Sequence, residues 1–285
     1  MSSYPSPPVT FLEKIFEDIT SIPPQITLCA GYESGNWRCD AFAEHLLEWL
    51  PEFALSLEEL NSLSPGNALR FIRKASQLVY QTEKYGRRGE FGEILLHIAI
   101  RQIYNSIPAI TKIYWKDSVN STVKGFDSVH VVPNGELLEL WLGEVKFYED
   151  GKKAIKEVAS EIIAHTKADY LRNEFLLITN KLDKQSPFYE KLSQLLDKNT
   201  SLDKIFSQTC IPILVTYDSN AIKVCSKSDD VYKTQLSVEI QNLQDEFNKK
   251  SPKGTIPIKL HLFFIPIHTK KEFIKILDSK LKGLQ

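Results

Sequence analysis

Charge of one sign is what this 285-residue chain lacks most clearly: 35 lysines and arginines against 36 aspartates and glutamates leave a formal net charge of −1 at pH 7. A global basic signature, of the kind that holds duplex nucleic acid unaided, is absent. Cysteine is sparse as well. Cys29, Cys39, Cys210 and Cys225 form no C-x-x-C pair and no Cys/His cluster with zinc-ligand spacing, which argues against a zinc site or a disulfide framework and fits a reducing cytoplasm. No uninterrupted apolar run is long enough to span a bilayer, and the Pro-rich opening has neither a basic n-region nor an apolar h-region, so a non-secreted, non-membrane protein is expected. There is no Walker-type Gly-rich loop, so any ATP requirement would come from a partner. Internal repeats and low-complexity linkers are missing too.

What is present suits a globular protein of one large domain or two small ones, with 42% apolar and 25% charged residues. Its charge is unevenly spread. Residues 1 to 63 carry only Lys14 and Arg38 against ten acids from Glu13 to Glu59, whereas residues 249 to 285 carry nine lysines against Glu272 and Asp278. Solvated surface accounts for such biases as readily as a polyanion-binding end.

The spacing predicts a short helix near Phe11 to Ile19, a turn around Gly31 to Asn36, and helices over Asp40 to Leu50, Ser56 to Leu63 and Ala68 to Tyr80. Pro51 would stop the first of these three, and Leu69, Ile72 and Leu78 would be the apolar members of the last. Residues 1–80 therefore read as an acidic, helical accessory region, and residues 81–285 as the main domain. A helix from Glu90 to Tyr104 opens that domain. Strands follow at Thr111 to Lys116, Lys124 to Val132 and, after the Pro133-Asn134-Gly135 turn, Leu137 to Phe147. Beyond them elements alternate: a helix from Lys152 to Lys167, a strand from Glu174 to Thr179, a helix near Tyr189 to Leu196 and a strand from Ile211 to Tyr217. A helix from Asp230 to Asn248, a strand from Ile256 to Ile267 and a helix from Lys270 to Leu281 close the chain. Alternation of this kind argues an α/β fold with a mixed sheet flanked by helices.

Chemistry concentrates in the third strand of the main domain. Leu138, Leu140 and Leu142 share a face with Glu144 and Lys146, so an apolar face ends abruptly in two charges. Asp127, in Gly125-Phe126-Asp127, lies on the preceding strand, and Glu90 or Glu93 on the helix before it. Asp127 and Glu144 could share one Mg²⁺, with the carbonyl of Val145 as a third oxygen. Lys146 would position a water or stabilise charge on a scissile phosphate. One of the helical acids Glu90 and Glu93 would complete the site through water or by holding Lys146. A plainer alternative is a strand-end salt bridge between Glu144 and Lys146, with Asp127 capping a turn. Acid-x-Lys triplets also occur at Asp150-Gly151-Lys152 and Asp278-Ser279-Lys280, but the first sits in a turn and the second on a helix, where i and i+2 diverge. His97 reads as a packing or surface residue, and His130 and His165 lack ligand spacing to each other. Trp37, Trp49, Trp115 and Trp141 read as core or interface anchors, since no basic residues interleave them.

A helical Glu, then Gly-x-Asp on one strand and Glu-x-Lys on the next, resembles the PD-(D/E)xK nuclease superfamily. Arg87-Arg88-Gly89-Glu90-Phe91-Gly92-Glu93, Lys124-Gly125-Phe126-Asp127, Leu142-Gly143-Glu144-Val145-Lys146-Phe147-Tyr148 and the closing strand from Ile256-Pro257-Ile258 to Pro266 resemble, more closely, the HamA family of Hachiman anti-phage effectors. The superfamily's Pro before the catalytic Asp is replaced by Phe126. The resemblance implies a restriction-endonuclease-like core carrying an N-terminal helical extension. It also implies a Mg²⁺- or Mn²⁺-dependent DNA endonuclease of the bacterial cytoplasm, with Asp127, Glu144 and Lys146 as catalytic residues. Its partners would be DNA and a HamB-like superfamily 2 helicase that restrains it. A catalytically silent DNA-binding or scaffolding subunit, or a nuclease of another bacterial DNA-processing system, are the alternatives.

Overall fold

The computed structural model describes residues 4–80, 89–111, 125–135, 137–251 and 258–285. The expected strand at 112–116, Trp115, Arg87, Arg88, Lys124 and the start of the closing strand at 256–257 lie outside them. The strands are β1 (Glu13–Asp18), β2 (Gln25–Cys29), β3 (Tyr32–Glu33), β4 (Asn36–Trp37), β5 (Ile107–Thr111), β6 (Ser128–Asn134), β7 (Leu137–Phe147), β8 (Thr209–Asp218) and β9 (Lys259–Ile267). The helices are α1 (Cys39–Glu48), α2 (Leu50–Ala54), α3 (Leu57–Asn61), α4 (Ala68–Tyr80), α5 (Gly89–Tyr104), α6 (Gly151–His165), α7 (Ala168–Lys181), α8 (Tyr189–Leu195), α9 (Leu202–Ser207), α10 (Asn220–Val224), α11 (Asp230–Lys250) and α12 (Lys270–Gly283).

Seven strands form one mixed sheet in the order β1-β2-β9-β8-β7-β6-β5. The inner four, β2, β9, β8 and β7, pair in parallel, and the antiparallel β1 on one side and β6 and β5 on the other complete it. β8 is buried at every residue but its last, as a parallel strand covered on both faces should be. The helices form two layers. On one face α5 packs on β7 and β8, with α1, α2, α4 and α12 around it; on the other α6 packs on β7 and β8, beside α7 and α11. The α5 layer comes very close: a Cβ on Gly92 would stand 2.6 Å from Val145 Cγ1 and 2.9 Å from Phe147 Cβ. Only glycine lets the helix settle there.

The mixed α/β sheet flanked by helices is as expected, and β7 and α4 have the expected bounds. The helical reading of residues 1–80 fails in its first third. Phe11 to Ile19 holds the edge strand β1 rather than a helix, and β2, a short buried run between Pro24 and Ala30, joins β9 in the same sheet. Pro51 does not end the helical stretch but starts α2, at a first-turn position that needs no N–H. α3 begins with the capping box of Ser56 and Glu59. In α4 the buried residues are Phe71, Ala75 and Val79, while Leu69 faces solvent. The expected strand at Glu174 to Thr179 is helical: Leu171, Glu174, Phe175 and Ile178 are buried at helical spacing in α7.

Candidate functional site

β6 and β7 pair with Ser128 opposite Gly143, which delivers Asp127, just before β6, to the end of β7. The Asp127 N–H donates to the Gly143 carbonyl at 2.7 Å, and the Val145 N–H donates to Asp127 Oδ2 at 2.8 Å. Gly143 permits this register, because a Cβ there would lie 2.2 Å from Ser128 Oγ and 2.5 Å from Leu96 Cδ2. Gly125, at φ +152°, lets the buried Glu174 carboxylate of α7 approach the same loop; a Cβ would sit 2.8 Å from Glu174 Oε2.

Val145 and Phe147 face α5, so Glu144 and Lys146 face α6. There they meet two residues spaced four apart on that helix, Glu161 and His165. Lys146 Nζ donates to Glu144 Oε1 at 3.0 Å and is ion-paired with Glu161 Oε2, while His165 Nδ1 lies 3.3 Å from Glu144 Oε2. That last pair is close without being aligned for a hydrogen bond, which leaves a buried carboxylate oxygen without an aligned donor. The His165 ring is stacked on Tyr170 at 4.6 Å and edge-on to Phe126. One residue beyond Lys146, at the same end of β7, Lys270 Nζ donates to the Phe147 carbonyl at 2.6 Å.

The electrostatics follow from burial and crowding. Glu144, 4% exposed, has its pKa raised, first by burial and then by the negative charge of Asp127; His165 and Lys146 only partly oppose this. Burial disfavours the Lys146 ammonium, yet Glu144 and Glu161 outweigh it and raise its pKa. Burial likewise works to raise the Glu161 pKa and to lower that of His165. Lys146 pulls Glu161 the other way and lowers it, while Glu144 pulls His165 upward. Two carboxylates, Asp127 and Glu144, thus crowd the end of β7, and the ionised form of Glu144 is disfavoured there. A hard cation with oxygen ligands and retained waters is chemically suited to such a pair. Among the described residues no three His, Cys, Asp or Glu side chains form a ready-made metal cage.

The structure brings together Asp127, Glu144, Val145 and Lys146 as the sequence suggested. The Glu144–Lys146 salt bridge of the plainer alternative is present, whereas Asp127 accepts a cross-strand bond from Val145 rather than capping a turn, and the contact with α6 goes further. Glu90, partly exposed, and Glu93, buried, lie on α5, across the sheet from the face where Glu144 and Lys146 meet α6. The helical acid touching Lys146 is Glu161, which the sequence reading missed. Its four-residue spacing to His165 within an expected helix was the one available signal. Of the two other acid-x-Lys triplets, Asp150 caps the N-terminus of α6, and Lys280 pairs with Asp40 and Glu44. His97 is fully buried in a network with Glu52, Arg101 and His130, and Trp37, Trp49 and Trp141 are core residues.

Residues 9–281, nearly the whole chain, match the family model described as HamA. A search of curated proteins finds no match.

Proposed function

The chain belongs to the HamA family, a family of Hachiman defence components, and we propose that it is a Mg²⁺- or Mn²⁺-dependent deoxyribonuclease with a PD-(D/E)xK core. The observation that carries this reading is the crowding of Asp127 against Glu144, with Lys146 bonded to Glu144 on the same strand face. Asp127 and Glu144 are the residues to hold the cation, aided by the Val145 carbonyl. When bound, the cation supplies Lewis acidity and a water of lowered pKa. Lys146, an ammonium with three N–H donors, orients that water or meets the charge building on the scissile phosphate. Phosphate binding by the chain alone is weak in this account, since affinity for DNA rests on neutralised phosphates and the net charge is −1. Delivery of DNA by a HamB-like superfamily 2 helicase, which also restrains the nuclease, fits that balance. No helix among the described residues is long and apolar enough to cross a membrane.

A silent scaffolding subunit is the second reading, favoured by the absence, among the described residues, of three His, Cys, Asp or Glu side chains grouped to hold a metal, and by Lys146 already sitting on Glu144. Cleavage of plasmid and linear DNA separates the two, with Mg²⁺ or EDTA, with and without the helicase and ATP, in the wild type and in Glu144→Ala/Lys146→Ala. Metal-dependent cutting reduced by about 100-fold or more in the double variant is the expected result. Unaltered cutting by the variant would exclude the site, and a wild type inert under every condition would favour the scaffold.

A further inference from the structure

We propose that Glu161 of α6 is the positioning residue of Lys146, the group that keeps its ammonium in place for phosphate chemistry. The inference rests on the nuclease reading of the same site and assigns to α6 the role that a helical acid was expected to fill from α5. Lys146 is 7% exposed, and its ammonium is shared between Glu144 on its own strand and Glu161 on the helix above. These two partners are not equivalent. Glu144 is buried and crowded by Asp127, so it is the carboxylate whose charge a cation would claim; Glu161, on the neighbouring helix, is partly exposed. An ammonium left with no carboxylate in a buried setting is costly and swings away toward water. Glu161 prevents this: it would keep one N–H of Lys146 engaged even where Glu144 served a cation, and leaves another for a water or phosphate oxygen. The helix holds Glu161 firmly for this task, because α6 is anchored below by Ala154, Ile155, Val158 and Ile162, all buried. The Asp150 side chain caps its first turn.

The test uses the full-length protein with Glu161→Gln, Glu161→Asp and, as a control on the same helix, Glu157→Gln, whose partner is Tyr148 rather than Lys146. One readout needs no catalysis: the rate at which an amine-acylating reagent modifies Lys146, followed by mass spectrometry of the digested protein. It is expected to rise at least about threefold in Glu161→Gln and to stay at the wild-type value in Glu157→Gln. The second readout is the cleavage split. A misplaced catalytic group costs rate rather than binding, so kcat should fall about 10- to 100-fold in Glu161→Gln with KM within about twofold, and Glu161→Asp should restore part of the loss. Unchanged labelling of Lys146, or a kcat equal to or above that of the wild type, overturns the proposal. Failure of the nuclease reading has a different signature: Glu144→Ala then cuts like the wild type, and the labelling of Lys146 still decides what Glu161 holds.

Discussion

Two buried ionic clusters sit on opposite faces of the same sheet, and they are built to different ends. In the α5 layer, Arg101 Nε donates to Glu52 Oε1 at 2.5 Å and Arg101 Nη2 to Glu52 Oε2 at 3.2 Å, and further Arg101 N–H groups reach the carbonyls of Ser106 and Pro5. His97 Nε2 stands 3.1 Å from Glu52, His97 Nδ1 is 3.3 Å from His130 Nε2, and His130 Nδ1 is 2.9 Å from Ser106 Oγ. His97 Nε2, although near Glu52, is not aligned to hydrogen-bond it, so the closed part of the network is the Glu52–Arg101 pair. Glu52 and Arg101 answer each other's charge. Burial alone would raise the Glu52 pKa, but His97 and Arg101 overcome it and lower the value below the ordinary 4.5. In the α6 layer the outcome is reversed: Glu144 also has a cation beside it, yet burial and Asp127 raise its pKa. The first cluster is an internal brace whose ions stabilise one another. The second holds a buried carboxylate whose ionised form is disfavoured, the feature on which the proposed cation site rests.

Breaking the brace should have the largest effect on stability. Glu52→Ala leaves Arg101 buried and unpaired, and the expected loss is about 3–5 kcal/mol in urea unfolding. A loss below about 1 kcal/mol would mean that the brace is not the closed unit described. The two clusters should also answer pH in opposite directions, with a smaller effect. His130, fully buried, has its pKa pushed well below 6.5, and Glu52 has its pKa lowered, so both bind fewer protons in the folded chain. The stability they contribute is present above the unfolded values and is lost as pH falls, from about 6.5 downward for His130 and below 4.5 for Glu52. Glu144 has the opposite sign. Its raised pKa gives stability that is present below 4.5 and is lost as pH rises through the folded value. Unfolding curves collected between pH 5 and pH 8 should therefore show Glu144→Gln gaining on the wild type as pH rises, by an amount within about 1 kcal/mol. A gain that shrinks toward pH 8 would contradict the assignment.

Much of this was legible in the sequence where a single period governs. β7 shows its alternation over eleven residues and α5 its long apolar arc, so the placing of Glu144 and Lys146 on one face needed no coordinates. Short apolar runs were less readable. Glu174 to Thr179 holds Phe-Leu-Leu-Ile, which serves a buried strand and a helix equally well, and the helix shows only in that Phe175 and Ile178 join Leu171 on the covered side of α7 while Leu176 and Leu177 face solvent. β2 is five residues long and acquires its identity from pairing with β9, more than 230 residues later, which no local pattern records. For α4 the bounds were legible but not the buried face, which takes Phe71, Ala75 and Val79 inward and leaves Leu69 in solvent. Glu161 and His165 escaped for the same reason. A pair spaced four apart on a helix is common, and what sets this one apart is the strand that lies beneath it.

The claim that Glu144, unlike Glu52, is held in a site that disfavours its ionised form is tested most directly by thermal unfolding at pH 8. The wild type, Glu144→Gln and Glu52→Gln would each be melted in EDTA and in Mn²⁺ or Mg²⁺. A site that binds the cation only when folded raises Tm as the cation concentration passes its Kd. The account predicts a rise in the wild type and in Glu52→Gln, with Glu52→Gln starting from a much lower Tm. Glu144→Gln should melt in EDTA at or above the wild-type temperature and should lose the response to metal. A Glu144→Gln protein destabilised as much as Glu52→Gln, with no metal response in the wild type, would show both clusters to be braces and would contradict the account.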